Sequence, residues 1–537
     1  FFMNGKIFAR RSVTAFFTIM LMLLSCIMRV AVIASSDKYK QAQLSQSRYK
    51  ITVGKNRGSI YDRNRVLLTN NSVKIIAAVS PVPEAVTAIS KVLSGEEKER
   101  VLNILKQKKP AVCEVEKEIS AKGIKCFAVR EDDKNNAYFK HIIGYTDATD
   151  RGVSGLQMAY DGVLFNENDT SAVFYLNGKG EQLSGIEPEF ENTEKNSDCI
   201  ITTLDLNIQK AAIEAAEEIT HGAVVVCGAK TGEIYAVLSK PDFDLNDVAS
   251  SFDKTDSPLL NRALSAYSVG SVFKPCVAAA AFSENKENII YECVGKAKII
   301  DREFNCHKRD GHGIMDLKSA LENSCNTYFY NLGLSVGKHA VYNTASALNF
   351  GRPIEIADNF YTAEGSLPDL TSLDNPALLA NFSIGQGYLS LSPVNMLTLY
   401  CCVANGGTYR LPRIVKSTVK NGTVREFPVS APTRVMSKET ADFLKEALKA
   451  VVETGTGTAA KPELCTAAGK TATAQTGRYN NSGKEINNSW FCGFFPFEEP
   501  EYVAVIMSEG GTTSQTAGAF KKLADIITKS DYSVTPD

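Results

Sequence analysis

The segment GSVFKPCVAAAAF (residues 270–282) predicts a helix that presents a serine and a lysine at its first turn. Ser271 precedes a strongly apolar helical run, and Pro275 stands in the early turns, where a proline is best tolerated. Lys274 comes one turn after Ser271, so the two side chains share a face. Because an alcohol attacks only when a base removes its proton, this pair indicates serine acyl transfer.

The spacing of this pair also fits an ordinary helix cap near a surface lysine. Chance matches to S-x-x-K begin at Ser35, Ser47, Ser251, Ser283 and Ser335. Ser271 is distinguished by two further motifs that follow it in order, each in a fitting context.

The second motif is Ser324-Cys-Asn326, in SALENSCNTYFYNLG (residues 319–333), where one predicted helix ends and another begins. On such a loop the Ser324 hydroxyl and the Asn326 amide can both face one cleft. There they would supply a proton relay and a group that holds a peptide backbone. Taken alone, the same residues describe an N-cap serine and a turn asparagine.

The third motif, Lys470-Thr-Ala472, opens a predicted strand in GKTATAQTG (residues 469–477). Alternation places Lys470 and Ala472 on one side of the strand, and Thr471 and Thr473 on the other. A cation beside hydroxyl groups suits a substrate carboxylate, and a strand edge can bind an extended peptide. We expect Lys470 and partial desolvation to depress the pKa of Lys274, and the N–H groups of Ser271 and Thr473 to form an oxyanion hole.

Lys230-Thr-Gly232 is a literal K-T-G sequence, but it joins two apolar runs in GAVVVCGAKTGEIYAVLSKP (residues 222–241). That context predicts a tight hairpin turn between two strands. We therefore interpret these three residues as structural.

Composition limits the classes of function. The chain has 537 residues, which is enough for two or three domains. Its net charge is -1, and it has no stripe of basic residues interleaved with aromatic ones, which argues against a nucleic-acid partner. Its 13 cysteines leave at least one thiol free. Cys293 and Cys306 flank a predicted hairpin and are disulfide candidates, and Cys113 with Cys126 is a weaker pair; burial as small apolar residues is the alternative. With no C-x-x-C pair and little histidine, a structural zinc site is not expected.

The N-terminal region predicts a membrane anchor. Residues 12–34 are apolar apart from Ser, Thr and Arg29, which is long enough to cross a bilayer. Lys6, Arg10 and Arg11 precede this run, so the positive-inside rule places the N-terminus in the cytoplasm and the rest of the chain outside. A cleaved signal peptide ending at Ala34 and a lipoprotein signal at Cys26 are the alternatives.

The remaining patterns predict an α+β protein. Residues 35–50 indicate a helical stalk, residues 83–120 carry helical periodicity throughout, and residues 192–198 form a linker. After the linker we expect a strand running into a long helix, then the hairpin of residues 222–241 and a largely helical stretch to about residue 400. Three strands and a helix follow, in KTATAQTGRYN, SWFCGFFPF, YVAVIMSEG and AGAFKKLADIITK.

The ordered motifs resemble those of class B penicillin-binding proteins, the membrane-anchored monofunctional D,D-transpeptidases of cell-wall synthesis. Beyond the triplet, the resemblance rests on RGSIYDRN (57–64), GVSGLQMAY (152–160), TLDLNIQ (203–209), SKPDFDLN (239–246), NRA (261–263), IGQG (384–387) and SWFCGFFP (489–496). It implies a cytoplasmic tail (1–11), a transmembrane helix (12–34), an elongated mixed pedestal domain (35–195), a transpeptidase domain (196–530) and a tail (531–537). The transpeptidase domain would combine an antiparallel sheet flanked by helices with an all-helical lobe.

The resemblance also implies roles for the site residues. Ser271 would attack the D-Ala–D-Ala bond of a stem peptide, Lys274 would be the base and Ser324 the proton relay. Asn326 would orient the donor peptide, and its carboxylate would be held by Lys470, Thr471 and Thr473. The acyl group would pass to an amine of a neighbouring strand, and β-lactams would acylate the same serine. No metal or cofactor is implied.

The partners implied are peptidoglycan stem peptides on lipid II-derived glycan strands, β-lactam antibiotics, the cell membrane and a polytopic glycan polymerase of the SEDS type. A D,D-carboxypeptidase, a β-lactamase and a non-catalytic cell-wall scaffold are the alternatives. Two departures from the family pattern are Ala472, where glycine is usual, and Val269, where proline is more common. The added methyl of Ala472 is expected to narrow the cleft or alter β-lactam access.

Overall fold

A computed structural model describes residues 2–36, 44–133, 137–192, 197–480 and 482–529, with side chains from residue 5 onward. The chain forms two compact units. The first comprises Phe1–Asn56, Ser72–Glu131 and Glu167–Lys195, and the second comprises Arg57–Asn71, Asp132–Asn166 and Asn196–Asp537. The predicted tail 531–537 and the boundaries at 195/196 and 530/531 lie outside the described residues.

The first unit begins with an apolar helix. Residues Gly5–Ser35 of this helix are long and apolar enough to cross a membrane, and none of its most apolar stretch is buried. Its elements are α1 (Phe2–Ser35), β1 (Arg48–Gly54), β3 (Ser72–Val79), α2 (Pro83–Val92), α3 (Gly95–Lys106), β4 (Ala111–Val115), β5 (Ile124–Glu131), β6 (Thr170–Tyr175) and β7 (Glu189–Glu191). The strands form two three-stranded sheets, ordered β4-β3-β5 and β1-β6-β7. Residues 37–43 of the predicted stalk are outside the described residues. Residues 48–50, which we expected to be the end of the helical stalk, begin strand β1.

The expectation of helix through residue 120 was wrong for its last part. Ala111–Val115 is a strand that pairs with β3, and Ala111, Cys113 and Val115 are its buried residues. This burial has a period of two, which a five-residue segment followed by charged residues does not reveal.

The structure also contradicts the weaker disulfide pair. Cys113 and Cys126 both pair with Ala77, from opposite sides of β3, so two strand spacings of about 4.8 Å each separate them.

The second unit holds the three catalytic motifs. Its helices are α4 (Lys140–Ile143), α5 (Gly155–Ala159), α6 (Asp161–Leu164), α7 (Leu206–Ala215), α8 (Lys274–Ser283), α9 (Leu317–Glu322), α10 (Asn326–Val336), α11 (Lys338–Ala347), α12 (Pro376–Ser383), α13 (Pro393–Ala404), α14 (Lys438–Glu453) and α15 (Thr513–Lys529). Its strands are β2 (Ser59–Tyr61), β8 (Cys199–Thr202), β9 (Gly222–Gly228), β10 (Ile234–Lys240), β11 (Tyr291–Cys293), β12 (Lys296–Ile299), β13 (Arg302–Asn305), β14 (Gly313–Met315), β15 (Glu355–Ala357), β16 (Phe360–Tyr361), β17 (Thr408–Tyr409), β18 (Val415–Lys420), β19 (Thr423–Glu426), β20 (Thr433–Arg434), β21 (Ala468–Tyr479), β22 (Glu485–Phe495) and β23 (Tyr502–Glu509).

An antiparallel sheet in the order β10-β9-β23-β22-β21 forms the centre of this unit. Strands β9 and β23 are buried along nearly their whole length, because helices cover both faces of the sheet. Helices α7 and α15 pack on one face through Ile208, Ala212 and Phe520. Helix α13 packs on the other face, against β9, β22 and β23, and helix α8 lies in the same hydrophobic core. The predicted C-terminal strands and final helix are confirmed, as is the α+β class with its antiparallel sheet and helical lobe.

Two segments that we expected in the pedestal domain pack with the second unit. Strand β2 pairs in parallel with β8, and Arg57 donates hydrogen bonds to the Gln157 side chain at 2.7 Å and carbonyl at 3.0 Å. The segments RGSIYDRN and GVSGLQMAY therefore meet in three dimensions. Residues 57–71 and 132–166 belong to the second compact unit, and the boundaries of the functional domains stay a prediction.

Candidate active site

Ser271 lies in a turn held by three separate elements. Gly270–Phe273 forms a 3-10 turn that continues directly into helix α8, as the sequence predicted for a helix start. The Gly270 N–H donates to the Gly385 carbonyl at 2.9 Å, in the loop after α12. The indole of Trp490 on β22 donates to the Ser268 carbonyl at 3.0 Å, and the Tyr400 hydroxyl on α13 donates to the Val272 carbonyl at 3.0 Å. These bonds position the half-buried Ser271 before any substrate binds.

Two glycines allow this turn to approach its neighbours. Gly270 has a φ of +63°, and a Cβ there would lie 3.2 Å from both the Ala474 Cβ and the Thr473 carbonyl oxygen. A Cβ on Gly385 would lie 2.0 Å from the Gly270 carbonyl oxygen. A side chain at Gly270 would push the serine turn away from strand β21, and one at Gly385 would push the turn away from the loop that holds it.

Lys274 is fully buried and bonded to the second motif. Its amine donates to the Ser324 carbonyl at 2.7 Å, to the Ser324 hydroxyl at 3.2 Å and to Asn326 Oδ1 at 2.8 Å. Burial lowers the pKa of Lys274 from its usual value to about 7. A neutral amine is therefore accessible near neutral pH, which is the state a general base requires.

Ser324 occupies a strained corner between helices α9 and α10. Its φ is +53°, a left-handed conformation that costs a non-glycine residue free energy. Cys325 follows as the N-cap of α10, and Asn326 is the first residue of that helix. The sharp corner directs the Ser324 hydroxyl and the Asn326 amide toward Lys274. The sequence predicted the helix break but not the strain.

Lys470 is the second fully buried amine of the site. It lies on β21 and donates to the Thr471 carbonyl at 3.1 Å. Burial and then the charge of nearby Lys274 lower the pKa of Lys470 well below its usual value. We expected Lys470 to lower the pKa of Lys274, but burial is the cause that lowers it there, and the repulsion between the two amines lowers the pKa of Lys470 instead. Two buried neighbouring amines favour a state in which at most one is charged.

The threonines of β21 differ in exposure. Thr471 is buried, and its Oγ1 lies 3.2 Å from the Thr456 Oγ1, a contact that sequence reasoning missed. Thr473 is exposed and lines an open cleft of about 610 Å³. Since β21 is the outermost strand of the central sheet, its free edge can accept an extended peptide.

The backbone at Thr473 faces the serine turn. Its carbonyl oxygen points at Gly270, and in an extended strand the N–H and C=O of one residue point to the same side. The Thr473 N–H therefore lies on the side of Ser271. This arrangement fits an oxyanion hole built from the N–H groups of Ser271 and Thr473.

Ala472 does not line the cleft in this structure. It lies opposite Trp490 in the β21–β22 register, and only 3% of its surface is exposed. The methyl group packs into the main hydrophobic core. Direct narrowing of the cleft by this methyl, as the sequence suggested, is therefore not observed.

The hairpin prediction for Lys230-Thr-Gly232 is confirmed. These residues connect β9 and β10, Gly232 has a φ of +70°, and Lys230 makes an exposed ion pair with Glu499.

Sequence reasoning missed a second cluster beside the site. The ligand atoms of Cys293, Cys306, His312 and Cys325 all lie within 4.8 Å of one another, and Cys325 separates Ser324 from Asn326. We expected no zinc site because no C-x-x-C pair is present. The four residues are instead spaced as C-x12-C-x5-H-x12-C, a regular pattern that could have been noticed.

Comparison with known proteins agrees with this geometry. The family model for the penicillin binding protein transpeptidase domain matches residues 222–528. Stage V sporulation protein D of Bacillus subtilis (strain 168) is 30% identical over 494 residues, which cover 84% of this chain and 74% of that protein. Peptidoglycan D,D-transpeptidase MrdA of Acinetobacter baumannii is 26% identical over 545 residues, which cover 87% and 79% respectively.

Solved structures show the same fold. Penicillin binding protein 3 from Mycobacterium tuberculosis, complexed with ampicillin, superposes with a TM-score of 0.66 at 22% sequence identity. The match covers 91% of this chain and 98% of that one.

Proposed function

The chain belongs to the penicillin-binding protein transpeptidase family, and from this membership we propose that it acts as a peptidoglycan D,D-transpeptidase through Ser271. The observation that supports the assignment of residues is the contact of buried Lys274 with both Ser324 and Asn326, one helical turn from Ser271. This contact supports the roles of Ser271 as nucleophile, Lys274 as base and Ser324 as relay.

Acylation begins with the neutral amine of Lys274, which accepts the proton of the Ser271 hydroxyl as its oxygen attacks the carbonyl of the penultimate D-alanine. The N–H groups of Ser271 and Thr473 stabilise the negative oxygen of the tetrahedral intermediate. The C–N bond then breaks, and the terminal D-alanine leaves with a proton that passes through the Ser324 hydroxyl. An acyl ester on Ser271 remains. β-Lactams acylate the same oxygen when their ring amide opens.

Deacylation by an amine completes the cross-link. The amino group of a second stem peptide attacks the ester and gives up a proton, Ser271 regains its hydroxyl hydrogen, and a new amide bond forms. Asn326 orients the donor peptide along the free edge of β21. Thr473 contacts the donor carboxylate directly because it is exposed. Lys470 and Thr471, which are buried, interact with the same carboxylate from inside the protein. An anion bound there would raise the pKa of the Lys470 amine.

Location follows from the N-terminal helix and from the relatives. The chain is a single-pass membrane protein, with its N-terminus in the cytoplasm because Lys6, Arg10 and Arg11 precede the apolar run. A SEDS-type glycan polymerase is the partner that we propose to supply glycan strands. Protease added outside intact protoplasts should digest the region after residue 36 and spare the N-terminus.

Labelling with a fluorescent penicillin tests the assignment of Ser271. Full-length chain in detergent is incubated with the probe, beside Ser271→Ala and a matched control, Ser335→Ala. Ser335 begins a chance S-x-x-K match in the same unit and is exposed. We expect a stable label in the parent and the control and none in Ser271→Ala. Label retained by Ser271→Ala would refute the assignment.

A stem-peptide thioester then separates the acceptors. Transfer of the acyl group to an added amino-acid amine supports a transpeptidase. Hydrolysis alone would indicate a D,D-carboxypeptidase, and rapid turnover of penicillin without retained label would indicate a β-lactamase.

A further inference from the structure

Thr456 lies beside the third catalytic motif, in the loop that follows helix α14. Its Oγ1 is 3.2 Å from the Oγ1 of Thr471 on β21. Thr471 is buried, with only 7% of its surface exposed, whereas Thr456 is exposed. We propose that the Thr456 hydroxyl binds the terminal carboxylate of the donor peptide and so contributes to substrate specificity, an inference that rests on the proposed function of the chain.

Two contacts fix the loop of residues 454–457 at the end of helix α9. The Thr456 N–H donates to the carbonyl of Glu322 at 3.2 Å. A Cβ on Gly455 would lie 2.4 Å from the same carbonyl oxygen, so glycine permits the close approach. Since Glu322 precedes Ser324 by two residues, the loop holds Thr456 between the Ser324 corner and strand β21.

The hydroxyl of Thr456 has a proton available for an anion. A threonine hydroxyl donates one hydrogen bond and can accept two. Besides Thr471, the Thr456 hydroxyl contacts the Glu322 carbonyl at 3.4 Å, which is long for an O–H donor. When Thr471 donates to Thr456, the proton of Thr456 can therefore turn from this long contact to a substrate oxygen. Hydrogen bonds in such a chain strengthen one another.

The charges around the loop suit a carboxylate at this position. Lys470 and Lys274 are buried amines, and within the described part of the chain neither forms an ion pair with a carboxylate. The negative group nearest to the loop is the side chain of Glu322, whose Oε1 accepts a hydrogen bond from the Thr454 hydroxyl at 2.6 Å. That bond occupies the Glu322 oxygen at Thr454, and leaves Thr456 to the substrate.

A purely structural role for Thr456 explains less. The main chain of the loop is already fastened by the bond to Glu322 and by the Gly457 N–H, which donates to the Val451 carbonyl in the last turn of α14 at 2.9 Å. A tie between the loop and β21 also gives no reason for Thr456 to be exposed while Thr471 is buried. A ligand that reaches the exposed hydroxyl accounts for both features.

Acylation by two β-lactams tests the proposal. Benzylpenicillin carries a carboxylate, and its methyl ester lacks that charge. Full-length chain in detergent is mixed with each compound, and intact-mass spectrometry gives the second-order rate constant for formation of the acyl-enzyme. The variants are Thr456→Val, which removes the hydroxyl with little change of shape, and Thr456→Ser, which keeps it. The matched control is Thr458→Val, because Thr458 is an exposed threonine two residues further along the chain.

We expect Thr456→Val to slow acylation by benzylpenicillin at least about tenfold and acylation by the ester less than about threefold, because only the acid loses a hydrogen bond to a charged group. Thr456→Ser and Thr458→Val should each remain within about threefold of the parent with both compounds. Equal slowing with acid and ester would assign Thr456 a structural role and overturn the proposal.

An unchanged rate with the acid in Thr456→Val would overturn it as well. If the valine variant does not fold, as judged by circular dichroism, Thr456→Ala gives the same comparison of acid with ester. A parent chain that neither compound acylates would refute the proposed function of Ser271 and this inference with it. A reactive parent with an unaffected Thr456→Val variant would refute the inference alone.

Discussion

Among single residues, Lys274 shows how burial creates reactivity. The charged form of this amine loses its hydration when the helix packs, so its pKa falls to about 7 although three hydrogen-bond acceptors surround it. Lys338, which has the same spacing after Ser335, is only half-buried and makes an ion pair with Asp374 at 2.6 Å. The difference between a catalytic pair and a chance S-x-x-K match is therefore a difference of environment.

The rate of acylation should depend on pH with a midpoint near 7. Below that pH the amine is protonated and cannot accept the serine proton, so the second-order rate constant with penicillin should fall about tenfold per pH unit. The charged or titratable groups that face the amine are Lys470, Cys325 and Cys306. Stopped-flow measurements between pH 5 and 8 check this, with Lys338→Ala as the control that keeps the profile. A flat profile would contradict the role of Lys274.

Replacement of Ala472 by glycine should affect stability more than reactivity. The methyl is buried opposite Trp490, and glycine adds backbone freedom to the unfolded chain. We expect Ala472→Gly to lower the free energy of unfolding by about 1–2 kcal/mol and to change the acylation rate less than threefold. Thermal unfolding and penicillin kinetics measure the two effects. Acylation accelerated tenfold or more would show that the methyl obstructs the cleft.

Between elements, the critical contact joins the serine turn to strand β21. The turn belongs to the start of α8, the oxyanion N–H belongs to a strand about 200 residues later, and Gly270 lies where they touch. Its hydrogen bond to Gly385 and the Trp490 bond to Ser268 hold the turn in place. Catalysis therefore requires two elements to be set at a fixed separation.

Gly270→Ala should disturb this contact. Alanine at position 270 must adopt a positive φ, and its Cβ crowds the Thr473 carbonyl and Ala474. We therefore expect the free energy of unfolding to fall by about 1–3 kcal/mol and acylation to slow at least tenfold. Gly337→Ala is the control, because Gly337 also has a positive φ, +89°, but nothing lies within 4 Å of the new Cβ. Equal loss of acylation in both variants would assign the effect to strain alone.

For the whole molecule, motifs distant in the sequence share one buried network. Arg57 bonds Gln157, the Asp150 carbonyl at 2.6 Å and the carboxylate of Asp161 at 2.9 Å, and only 6% of its side chain is exposed. These residues lie in segments that belong to the same compact unit as the catalytic motifs. Their effect on activity is thus expected to be indirect, through stability.

Arg57→Ala should destabilise the second unit by about 3–5 kcal/mol, because it leaves buried hydrogen-bond acceptors and a carboxylate without their partner. Lys230→Ala is the control. Its ion pair with Glu499 is exposed, so the unfolding midpoint and penicillin labelling should both be unchanged. Denaturant unfolding of the full chain in detergent measures these effects. An Arg57→Ala chain as stable as its parent would exclude a stabilising role for the network.

The elements of the site were predictable where the signal is local. The apolar run after Ser271 specifies its own helix, and the alternation after Lys470 specifies a strand, because side-chain periodicity is set by neighbours in sequence. The hairpin at Lys230-Thr-Gly232 was predictable for the same reason. Residues 111–115 were not, because five residues do not distinguish a strand from a helix until a partner strand is present.

The sequence by itself therefore determined the order of the motifs, the family and the side-chain chemistry available, since these depend on residue type and spacing. The tertiary structure decided which amines are buried, which threonine is exposed and which side the Ala472 methyl faces. It also brought together four possible zinc ligands from segments spread over residues 293–325. These properties arise from contacts between distant segments, and local periodicity contains no information about such contacts.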